Sequence, residues 1–130
     1  MRKLFLAIAL IAVITLACGC CGLCGLSNHM STGTYDIKSG GYADQKFSLN
    51  QGSTMTYSVS SKGGKANIYI ADESSFLNFQ KNPPNINYLQ QDVADPSTTG
   101  EFTADTAGTY YLMVSNHGSD PISVTTALKY

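Results

Sequence analysis

Residues 102–114 read FTADTAGTYYLMV. Leu112 and Val114 alternate with Tyr111 and Met113, the period-two pattern of a strand with one face buried. Ahead of them lies the turn cluster Ala104-Asp105-Thr106-Ala107-Gly108. Tyr110 follows that glycine by two residues. This is the spacing of a tyrosine corner, in which a buried phenol hydrogen-bonds back to nearby backbone at the entrance to a sandwich strand. A strand, a glycine turn and a tyrosine-led strand mark a β-sandwich.

The flanking segments have the same rhythm. Thr34–Lys38 alternates and is broken at Ser39-Gly40-Gly41, and Lys46–Leu49 puts Phe47 and Leu49 on one face. Asn50-Gln51-Gly52 turns the chain into Thr54–Ser60, where Met55, Tyr57 and Val59 face in and threonines and serines face out. Lys62-Gly63-Gly64 reads as a hairpin-type turn before Ala66–Ala71, with Ile68 and Ile70 inward. The rhythm changes at Asp72–Lys81. Ser74 or Ser75 is placed to cap a short helical turn carrying Phe76 and Phe79 on one side, and Pro83-Pro84 stops it. Asn87-Tyr88-Leu89 reads as a short strand and 92–100 as loop. Asn116–Pro121 is a turn, and Ile122, Val124, Thr126, Leu128 and Tyr130 share one face of a last strand. The expected core is Phe47, Leu49, Met55, Tyr57, Val59, Ile68, Ile70, Phe102, Tyr110, Leu112, Val114, Ile122, Val124 and Leu128. Each such side chain contributes roughly 1.5–3 kcal/mol when fully buried, so a core without disulfides is available.

The N-terminus is of another kind. Arg2 and Lys3 precede Leu4–Ala17, which holds no charge, the layout of an export signal. All four cysteines lie between positions 18 and 24. Ala17-Cys18-Gly19 before Cys20, or Thr15-Leu16-Ala17 before Cys18, resembles a lipoprotein cleavage box, which makes Cys20, Cys18 and Cys21 the lipidation candidates. An uncleaved anchor is the alternative, because Leu4–Leu26 is long enough to cross a hydrocarbon core of about 30 Å as a helix. A plain cleaved signal is the third reading. Each of them places the domain outside the cytoplasm. The expected organisation is a signal or anchor over 1–26, a polar tether over 27–33 and one domain over 34–130.

That domain has six lysines and no arginine against seven aspartates and two glutamates, a formal charge of −3. Without a basic stripe, nucleic acid is not an expected partner. Cys21-Gly22-Leu23-Cys24 lacks the second ligand pair that zinc requires, so neither a metal nor any other cofactor is expected.

From Phe47-Ser48-Leu49-Asn50-Gln51-Gly52, through Asn67–Asp72 and Phe76-x-x-Phe79, to Gly108-Thr109-Tyr110-Tyr111-Leu112-Met113-Val114-Ser115-Asn116 and a final valine-bearing strand, the sequence resembles the GOLD (Golgi dynamics) domain. Gly-x-Tyr-x-hydrophobic also occurs in pre-peptidase C-terminal and immunoglobulin-like domains. The resemblance implies a single antiparallel β-sandwich of GOLD or jelly-roll type, used for protein or lipid contact at the cell surface, as in stand-alone prokaryotic exported forms. The cargo receptors of that family carry paired cysteines in this domain and a C-terminal membrane helix, whereas here the apolar segment is N-terminal.

The residues give no case for an enzyme. Asp72 and Glu73 are adjacent in extended chain and point apart. Ser115 and His117 have no nucleophile-elbow motif around them. Asp92 and Asp95 lack a calcium-loop pattern. A non-catalytic binding domain is expected, with Tyr35, Tyr69 and Tyr111 at outward or edge positions as candidate contact residues. The alternatives are a carbohydrate or lipid site covered by the 76–100 excursion, whose asparagines and aromatics suit sugar, or an accessory domain of pre-peptidase C-terminal type.

Overall fold

The computed structural model describes residues 29–130. The expected signal or anchor over 1–26 and its cysteines Cys18, Cys20 and Cys21 lie outside the described residues. Eight strands and one helix follow in order: β1 (Met30–Ile37), β2 (Tyr42–Leu49), β3 (Thr54–Lys62), β4 (Ala66–Asp72), α1 (Glu73–Lys81), β5 (Gln90–Ala94), β6 (Ser97–Thr103), β7 (Gly108–Ser115) and β8 (Ile122–Lys129). They form two four-stranded sheets, β1-β8-β3-β6 and β2-β7-β4-β5. Every pairing is antiparallel. Successive strands alternate between the sheets except β4 and β5, which pair within one sheet and are separated by α1. This is the order of an eight-stranded jelly roll. Among the described residues no helix is long and apolar enough to cross a membrane.

Each residue expected in the core is buried there, joined by Ile37, Ala66, Ala94 and Ala104. Period-two alternation places one side of each strand between the sheets. Phe102 of β6 meets Tyr110 of β7 edge-on across that space, with ring centroids 5.2 Å apart. The tyrosine corner forms as the spacing predicts: Tyr110 Oη donates to the Thr106 carbonyl at 2.5 Å.

Four local expectations are corrected. The Lys62-Gly63-Gly64 turn exists, and Gly63 adopts φ 94°, but it makes no hairpin. β3 pairs with β6 and β8 while β4 pairs with β5 and β7, so the turn is a corner from one sheet to the other. β1 begins at Met30, opposite Lys129, so residues 30–33 are strand rather than tether. Residues 87–89 are not a strand, and the expected loop over 92–100 is instead most of β5 and β6. Its alternation is hidden because the inward positions are Gln90, Asp92, Thr98 and Gly100. Tyr57 Oη donates to Asp92 Oδ2 at 3.0 Å, and Thr98 Oγ1 donates to the same oxygen at 3.0 Å. Gln90 Nε2 donates to the Tyr57 oxygen at 3.1 Å. Gly100 faces Tyr57 across the ladder, and a Cβ there would run into the phenol ring. Burial raises the Tyr57 pKa above its ordinary value; the Gln90 bond opposes the rise and the Asp92 carboxylate adds to it. The fourth correction is the helix cap, which is Asp72 rather than a serine.

At the far end from His29, Asn116 is 1% exposed and ties two loops together. Its Nδ2 donates to the Ile37 carbonyl at 3.1 Å and to the Asp120 carbonyl at 2.7 Å, while Oδ1 accepts from Gly118 N–H at 2.9 Å. Its backbone also exchanges bonds with the β1–β2 turn, through Gly40 N–H at 2.8 Å and the Gly41 carbonyl at 3.0 Å.

Removing that carboxamide leaves buried carbonyls and an N–H without partners, at about 1–3 kcal/mol each. We expect Asn116→Ala to lower stability by about 3 kcal/mol in urea unfolding on this scale. Asn116→Asp sets a carboxylate against two carbonyl oxygens, so at neutral pH it should cost at least as much. Its pKa is then raised in the fold, and stability should recover as the pH falls and the acid regains a donor. A loss below about 1 kcal/mol in both variants, one ordinary hydrogen bond, would remove Asn116 as the pin of this end.

Candidate binding cleft

β4 and β7 are buried on both faces, and the outer face is what organises the site. Inward lie Ile68, Ile70, Leu112 and Val114. Outward lie Tyr69 and Met113, which form a second apolar cluster with Phe76 and Phe79 of α1, joined by Ile86 and Tyr111. The helix forms here because Asp72, the last residue of β4, caps it. Asp72 Oδ1 accepts from Ser75 N–H at 2.8 Å and from Ser74 Oγ at 3.0 Å. Glu73 in the first turn and Lys81 in the last suit the helix dipole. Phe76 and Phe79, three residues apart, turn toward the sheet. Phe76 stacks on Tyr111 with centroids 4.0 Å apart and planes at 11°, and Phe79 meets Tyr42 edge-on at 4.9 Å.

Beyond the helix the chain folds back across the sheet. Asn82 N–H returns to the Asn78 carbonyl at 3.0 Å, and Leu89 N–H reaches the Ile70 carbonyl at 2.7 Å, which delivers the chain into β5. Between the last turn of α1, residues 82–88 and the sheet lies an open cleft of about 800 Å³. Asn78, Asn82, Asn85 and Asn87 line it, with Pro83-Pro84 on its rim. Tyr69 lines its base and Tyr88 its side, with ring centroids 5.3 Å apart and planes at 46°. Among the described residues no charged one lines it.

Of the candidate contact tyrosines, the fold brings Tyr69 and Tyr111 onto one face, on adjacent strands. Tyr69 is 8% exposed beneath the cleft and Tyr111 is half-buried under Phe76. Tyr35 is in the other sheet, half-buried, with its ring over Gly33. Tyr88, 48% exposed, is the cleft aromatic that periodicity missed, because it lies in irregular chain. The signal for it was the density of asparagine between 78 and 87.

Two of the acidic side chains serve the fold. Asp72 caps α1, and Asp92 binds Tyr57 and Thr98. Ser115 Oγ lies 3.0 Å from His117 Nε2, but among the described residues no carboxylate hydrogen-bonds that imidazole as a triad requires. Gly118 N–H, the nearby backbone donor, is taken by Asn116. Among the described residues no group of three or more His, Cys, Asp or Glu is placed to hold a metal ion.

No protein-family model matches the chain, and no curated protein does. Solved structures do. Aeromonas hydrophila PliG, a periplasmic lysozyme inhibitor of g-type lysozyme, superposes with a TM-score of 0.56 at 14% identity, over 79% of this chain and 87% of that one. The pre-peptidase C-terminal domain of collagenase from Bacillus anthracis matches with a TM-score of 0.56 at 18% identity, over 78% and 89%. Yersinia pseudotuberculosis-derived mitogen matches with a TM-score of 0.56 at 11% identity, over 78% and 86%. At such identities the likeness establishes the β-sandwich fold.

The cap carries a pH dependence. Ser75 N–H, and after it the serine hydroxyls, hold the Asp72 carboxyl below its ordinary value of 3.8. Its contribution is therefore fully present above that value and is lost as the pH falls through the lower folded-state value. We expect Asp72→Ala to cost about 1 kcal/mol at pH 7. Asp72→Asn should keep most of the cap and flatten the loss of stability below about pH 4. An acid limb in urea unfolding that is the same for Asp72→Asn and the parent would show that another group sets it.

Proposed function

We propose that this chain is an exported, non-catalytic binding module, held at the outer face of a membrane by residues 1–26, and that its partner docks in the cleft over Tyr69. The observation that carries this reading is the use made of the β4–β5 connection. Elsewhere strands are joined by short corners; here the chain builds a capped helix and a return segment that leave an open, uncharged concavity on a rigid sheet. Tyr69 is its floor, and Tyr111 sets the helix height through Phe76. Tyr35, on the opposite sheet, stands apart from this surface. The GOLD-like order of motifs and the shared fold of a periplasmic lysozyme inhibitor support contact with a protein or another surface ligand outside the cytoplasm. The basic start, the apolar run and Cys18, Cys20 and Cys21 support anchoring by lipid or by an uncleaved helix.

A benzophenone amino acid inserts into C–H bonds of protein and glycan alike. Placed at Asn85 in the full chain on intact cells, it should give a discrete adduct that Tyr88→Ala abolishes. The same probe at Thr32, on the outer face of the other sheet, should not give that adduct. No adduct from Asn85, or the same adducts from both positions, would remove the cleft as the docking surface.

Anchoring is tested by the intact mass of protein extracted from its own membrane fraction. The expected mass either starts at Cys18, Cys20 or Cys21 with a lipid adduct or is that of the full chain. A cleaved, lipid-free mass would overturn the anchor and leave a released domain.

A further inference from the structure

The lining of the cleft is specific enough to name a ligand class. We infer that it binds a neutral carbohydrate, an inference that rests on the cleft being the docking surface. Each asparagine side chain offers an N–H₂ donor and a carbonyl acceptor, which matches a sugar hydroxyl that both donates and accepts. Four of them, Asn78, Asn82, Asn85 and Asn87, converge on one concavity. Among the described residues none of these four carboxamides is hydrogen-bonded to another protein group. They differ in this from Asn116, whose carboxamide is saturated. Asn78 and Asn82 are one helical turn apart and so project from the same side of the α1 C-terminus.

Charge narrows the class further. Among the described residues no lysine, arginine or histidine lines the cleft to pair with phosphate, carboxylate or sulfate. It lies at the C-terminal end of α1, where the negative helix dipole is offset by Lys81, a last-turn cation that does not line the cleft, so the helix end supplies no anion site. The formal charge of −3 over 34–130 acts in the same direction. Lipid is disfavoured as well, because the apolar Ile86 packs down into the second cluster and amides dominate the opening. What remains is an uncharged, hydroxyl-rich ligand with some apolar faces. Tyr88 supplies the surface for those faces: its ring is half exposed and forms an open angle of 46° with Tyr69 beneath it. The volume of about 800 Å³ is within the range of small-ligand sites, roughly 300–1,000 Å³.

The test uses the full chain, isotope-labelled in detergent micelles and titrated with cellotetraose, maltotetraose and the N-acetylglucosamine tetramer, with tetragalacturonate as the acidic comparison. At least one neutral tetrasaccharide should shift the side-chain amide signals of Asn78, Asn82, Asn85 and Asn87 and saturate. Tyr88→Ala should weaken that binding at least tenfold, and tetragalacturonate should leave the four signals in place. No shift with any neutral sugar, a stronger response to the acidic one, or unchanged affinity in Tyr88→Ala would each overturn the inference. The two readings can fail separately. If the sugars fail while the Asn85 adduct persists and proves to be protein, the ligand class is wrong and the binding module stands. If the sugars fail and no cleft-dependent adduct forms, both fall.

Discussion

A jelly roll has a structural problem at its corners, and in this chain a single carboxamide resolves it at one end. A hairpin is held by the ladder of the strands it joins, but a connection that crosses between sheets has no ladder of its own. Its backbone groups still need partners. The β1–β2 and β7–β8 connections are both of this kind, and Asn116 bridges them. It bonds to Ile37 on one side and to Gly118 and Asp120 on the other. Ser39 Oγ, donating to the Gly118 carbonyl at 2.6 Å, adds a second tie. The opposite end uses the tyrosine corner, where Tyr110 holds the β6–β7 connection through Thr106. Both devices belong to β7, one two residues into the strand and the other just past its end. The strand that pairs with β2 and β4 thus also sets the corners.

β7 is therefore rigid, and the same rigidity supports the cleft. Its outward residues, Tyr111 and Met113, are covered by α1, so the strand is clamped between two apolar layers. A helix of nine residues is too short to be stable alone. It persists because Asp72 satisfies its first turn and because Phe76 and Phe79 bury against the sheet. The cleft wall formed by Asn78 and Asn82 is thereby held at a fixed height above Tyr69. Preorganisation of this kind lowers the ordering cost of binding, and it is achieved without a disulfide.

Much of the sandwich is legible in the sequence, because inward positions filled by Phe47, Met55, Val59, Ile68, Leu112 and Val124 give an alternation that tolerates only one face in the core. Where polar groups take the inward positions, the signal fails. The alternation of β2 is legible only from Lys46 because Gln45 faces in, and that of β5 and β6 is masked by Gln90, Asp92, Thr98 and Gly100. Turn residues mark where the chain reverses, but Gly63 in a corner and a glycine in a hairpin meet the same demand for positive φ. Sheet assignment is a long-range property that neither one records. Of the site, the outward direction of Tyr69 and Tyr111 and the wealth of asparagine and aromatics in the excursion were readable. That α1 would fold down over those tyrosines was not, since Phe76 and Phe79 define a buried helix face without saying which surface buries it.

The hidden polar residues also explain how a sandwich of this size closes its two open sides. The edge strands are β1 and β6 in one sheet and β2 and β5 in the other, and at each pair of edges a hydrogen-bonded bridge spans the sheets. On one side Thr126 Oγ1 donates to Gln45 Oε1 at 2.6 Å, and Gln45 Nε2 donates to Ser31 Oγ at 2.6 Å. On the other, Tyr57 and Thr98 in one sheet meet Asp92 in its partner sheet. No buried side-chain polar atom among the described residues lacks a hydrogen-bond partner, so these bridges avoid the penalty that isolated buried polar groups carry. Apolar contacts hold the sheets together without fixing their relative slide, whereas a bond such as Thr126 to Gln45 fixes it to within the tolerance of one hydrogen bond. The residues that defeat the alternation pattern are thus the ones that set the register of one sheet against the other.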